Sequence, residues 1–84
     1  MASTDELIAR YIQENPHRTG PANVRVMPYG VPVWALVGHL DAVHGNLQRV
    51  ADDYELPTDV VEAALAYYEQ HKQAIDARIA ANAA

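Results

Sequence analysis

Apolar residues recur at helical spacing in four stretches of the chain and alternate with polar ones in a single short stretch. Leu7, Ile8, Tyr11 and Ile12 share one stripe. Ser3 stands three residues before Glu6, the capping-box spacing that satisfies the orphan amides of a helix start. The pattern predicts a first helix over residues 4–14, ended by Asn15-Pro16. A linker rich in Pro and Gly follows. Asn23-Val24-Arg25-Val26-Met27 alternates polar and apolar and predicts an edge strand closed by Pro28. No second strand pattern accompanies it, so its expected partner is the same strand of a second subunit.

Tyr29-Gly30-Val31-Pro32 reads as a turn or short extended passage into the next helix. There Val33, Trp34, Leu36, Val37, Leu40 and Val43 are apolar nearly all round, as in a helix buried within a bundle. His44-Gly45 closes it, with the glycine free to turn left-handed. Asn46 caps a short helix through Tyr54, whose inward stripe is Leu47, Val50, Ala51 and Tyr54. After the turn Glu55-Leu56-Pro57, Thr58 is placed to cap a last helix, with Asp59 and Glu62 where the macrodipole favours negative charge. Val61, Leu65, Tyr68, Lys72, Ile75 and Ile79 recur at steps of three and four with no Gly or Pro between them. One uninterrupted helix of about 24 residues, roughly 36 Å, is expected. That length outreaches a domain of this size, which makes Tyr68, Ile75 and Ile79, with Val24 and Val26 of the strand, the candidate homodimer interface.

The expected fold is therefore mainly α: a trihelical, homeodomain-like helix-turn-helix core at residues 31–70. An N-terminal helix (4–14), a linker with a short β-strand arm (15–30) and a long C-terminal helix extension (71–84) complete a single domain, 1–84.

Composition sharpens this picture. Half of the 84 residues are apolar, but there is no Phe and one Trp, so the core is thin and self-association would bury additional area. The absence of Cys excludes disulfides, thiolate nucleophiles and cysteine-ligated zinc. The first residues lack the basic region and apolar run of a signal peptide, and no stretch approaches the ~20 apolar residues of a membrane span, so a cytoplasmic protein without a membrane partner is expected. The net charge of −5 resides in residues 46–70, the rest of the chain being neutral overall.

Candidate chemistry is sparse. His39, Asp41 and His44 are the best metal or catalytic cluster, yet histidines five apart on a helix project about 140° from one another, whereas ligands prefer a spacing of three or four. No phosphate loop or serine nucleophile context is present, so no catalytic residue, metal or cofactor is expected. For nucleic acid, Arg18 and Arg25 are candidate phosphate contacts and Thr58 a candidate base contact, but Asp59 and Glu62 occupy the helix start that would face the backbone. For a protein partner, Asp52, Asp53, Glu55, Asp59 and Glu62 form an acidic segment suited to a basic surface, or simply a solvated face. Tyr29 and Trp34 are candidate anchors, although Trp34 also fits a core position.

Three stretches carry a resemblance: Val31-Pro32-Val33-Trp34-Ala35-Leu36-Val37, Val50-Ala51-Asp52-Asp53-Tyr54, and Leu56-Pro57-Thr58-Asp59-Val60-Val61-Glu62-Ala63-Ala64-Leu65-Ala66-Tyr67-Tyr68. Residues 24–70 resemble the bacterial domain-of-unknown-function family 433 in its isoleucine-proline-valine helix start, its acidic-Asp-Tyr helix end and its Thr-capped Ala-Leu-Ala-Tyr helix. The family's Gly-Thr-Arg triplet is replaced by Pro28-Tyr29-Gly30, so any role of that arginine is missing. The resemblance implies a non-enzymatic, antitoxin-like helix-turn-helix protein that engages an RNase toxin of the PIN type and binds operator DNA as an autoregulatory dimer. The alternative expectation is a structural or scaffolding homodimer with no nucleic-acid role.

Overall fold

The computed structural model describes residues 3–83; Met1, Ala2 and Ala84 lie outside the described residues. The chain is mainly helical, with a small antiparallel sheet. Helix α1 spans Thr4–Tyr11, and the Ser3 hydroxyl accepts from the Glu6 amide at 3.2 Å. The helix ends earlier than the periodicity predicts, because Ile12–Gln13 leave it as strand β1 and pair with β2, Arg25–Val26. The register places Ile12 opposite Val26 and Gln13 opposite Arg25. Pairing within the sheet overrides the final helical turn, and a β-branched residue at position 12 suits it. Strand β3, Val31–Pro32, completes the order β1-β2-β3. Strand β2 is thus the centre of a sheet made by one chain and needs no strand from a second subunit. A 3₁₀ turn, Pro21–Asn23, leads into β2.

Helix α2, Val33–Ala42, ends in a Schellman arrangement in which the Gly45 amide donates to the Leu40 carbonyl at 2.8 Å and the His44 amide to that of Asp41 at 3.1 Å. His44 adopts the left-handed conformation (φ 57°) just before Gly45 does so (φ 80°). Helix α3, Leu47–Tyr54, is capped by Asn46, whose side chain accepts from the Arg49 amide at 3.1 Å. Its end repeats the device, with Glu55 left-handed (φ 55°) and the Leu56 amide donating to the Ala51 carbonyl at 2.9 Å. That turn buries Leu56 and leaves Glu55 exposed.

Helix α4, Thr58–Gln70, begins one residue earlier than a Thr58 cap requires: Pro57 is the cap residue, and no side-chain cap is made. Nor does the last helix run unbroken. His71 leaves helical geometry (φ −137°, ψ 37°), and α5, Lys72–Ala83, folds back to pack on α2 and the 3₁₀ turn. The reversal needs no Gly or Pro because tertiary contacts impose it. The Tyr67 hydroxyl donates to the Pro21 carbonyl at 2.8 Å, and the His71 ring stacks on Tyr67 with centroids 4.3 Å apart.

Folding back places Ile75 wholly inside, beside Val26, Val33, Leu36, Val50, Val60 and Val61. Three candidate dimer contacts are corrected by this packing. Val24, Val26 and Ile75 are interior residues of one chain and have no surface to offer another, while Tyr68 and Ile79 remain half-buried at the edge of the core. Because α5 closes the interior, Ile75→Ala is expected to cost about 2–5 kcal/mol in urea denaturation. A loss under about 0.5 kcal/mol would show that the helix stands away from the core.

Candidate partner-docking face

The acidic residues enter from α3, the turn after it and the start of α4. Asp53 is committed to the chain's own structure: His39 Nε2 on α2 donates to its Oδ2 at 2.7 Å, and Arg49 Nε reaches its Oδ1 at 3.1 Å. The His39 hydrogen bond, helped by Arg49, holds the Asp53 carboxyl below its ordinary value of 3.8 despite some desolvation. The His39 ring also meets Tyr54 edge-on at 5.5 Å. Asp52 Oδ1 accepts from the Gln48 side-chain Nε2 at 2.9 Å. Glu55, Asp59 and Glu62 are exposed, and none forms an ion pair with another described residue. Glu55 stands left-handed and exposed in the turn between α3 and α4, and Asp59 and Glu62 lie three apart on one face of α4.

Three shallow depressions adjoin α2. One is lined by Trp34, Ala35, Gly38, Tyr54 and Ile79, and the Arg78 guanidinium sits 4.9 Å from the Trp34 ring. A second, of about 330 Å³, is lined by Val37, Gly38, Asp41, Tyr68, Asp76 and Ile79. A third involves Leu40, His44 and Leu65. The Tyr68 hydroxyl donates to Asp76 Oδ1 at 2.8 Å, and that bond, with the negative charges of Asp76, Glu69 and Asp41, pushes its ionisation upward. Burial likewise raises Tyr67.

The remaining candidates are dispersed among other elements. Tyr29 is exposed in the hairpin turn between β2 and β3, and Trp34 is half-buried near the start of α2. Arg18 is exposed in the loop before the 3₁₀ turn. Arg25 is half-buried on the central strand, its Nε enclosed without a hydrogen-bond partner. Thr58 is half-buried beside the exposed Asp59 carboxylate. Among the described residues no three His, Cys, Asp or Glu side chains converge to hold a metal ion, and no helix is long and apolar enough to cross a membrane.

Two contacts escape sequence reasoning. His39 and Asp53 are 14 positions apart on different helices, so no periodicity links them. Tyr68 and Asp76 are eight apart, which one straight helix would separate by about 12 Å; the break at His71 brings them together.

Comparison with known protein families, curated proteins and solved structures finds no match to this chain.

The Asp53 geometry sets a pH dependence. A carboxyl whose folded pKa lies below its unfolded value stabilises the fold above the unfolded value, and the contribution is lost as pH falls through the folded one. Asp53→Asn is expected to be less stable than the parent at neutral pH, the gap closing as pH falls below about 4. Denaturant midpoints across a pH series check this; a constant gap would contradict it.

Proposed function

We propose that this protein is a non-enzymatic, antitoxin-like binding module that docks its acidic face on a basic partner. The observation that carries this reading is the set of exposed carboxylates Glu55, Asp59 and Glu62, presented from α4 and the turn before it with no ion pair to another described residue. Such a face steers a positively charged surface into encounter and discriminates against acidic partners. An RNase must bind a polyanion and therefore offers a basic surface of this kind. The resemblance of residues 24–70 to family 433 makes a small PIN-type RNase toxin the partner of choice. Autoregulatory binding of operator DNA is a secondary role with less support: its candidate contacts are Arg18, Arg25 and Thr58, and the start of α4 presents carboxylates where phosphates would lie.

A pull-down from native cell extract with the tagged full chain tests the reading. A small basic nuclease is expected at low salt, its recovery falling as salt rises. The triple substitution Glu55→Lys, Asp59→Lys, Glu62→Lys should abolish its recovery. Identical recoveries by the parent and the triple variant would overturn the reading.

A further inference from the structure

We draw no further inference here: the strongest candidate, the depression beside α2 lined by Trp34, Ala35, Gly38, His39, Tyr54 and Ile79, is an unpartnered, mostly apolar face, and nothing in the structure shows what covers it.

Discussion

The structure depends on the burial of Ile75 beneath α2. A chain without Phe and with many alanines has few large side chains with which to fill its interior, and a small domain excludes water inefficiently. Carrying α5 back across α2 brings in Ile75 and covers part of Ile79. The interior then closes with residues of one chain, including Val24 and Val26 of the central strand. Large surface apolar groups are correspondingly scarce: Tyr29 is the exposed one among the described residues, and other large apolar side chains, such as Ile8, Tyr11, Trp34 and Leu47, reach solvent only partly.

The same economy governs charge. Asp53 joins α3 to α2 through His39 and is braced by Arg49, so it serves the fold. Asp76 holds the Tyr68 hydroxyl and so ties α5 to α4. Glu55, Asp59 and Glu62 form no ion pair with another described residue. Glu55 even occupies a left-handed position that a side chain adopts at a cost of about 1–2 kcal/mol. Acidic residues adjacent in sequence therefore divide into groups held by the fold and exposed groups that pair with no described residue.

Much of this was legible in the chain. The mainly α fold followed from apolar spacing, and the Ser3 and Asn46 caps from residue type and position, because both signals are local. The failures share a cause. Ile12 and Gln13 continue a helical pattern but are captured by Arg25–Val26, and Ile75 continues the α4 stripe but reaches the core after the helix breaks at His71, whose ring stacks on Tyr67. Pairings between residues distant in sequence decide these points, and no local propensity encodes them. The acidic segment was visible by composition, but the involvement of Asp53 with His39 was not, since it depends on how α2 and α3 meet.

The central claim is that α5 belongs to the closed interior, with Ile75 buried in the core. Native-state hydrogen exchange on the full chain tests it most directly. If the account holds, the amides around Ile75 and Ile79 exchange as slowly as those of Val60–Ala64 in α4, as expected of one cooperative unit. Exchange of the α5 amides at the rate of unstructured chain, with α4 still protected, would contradict it.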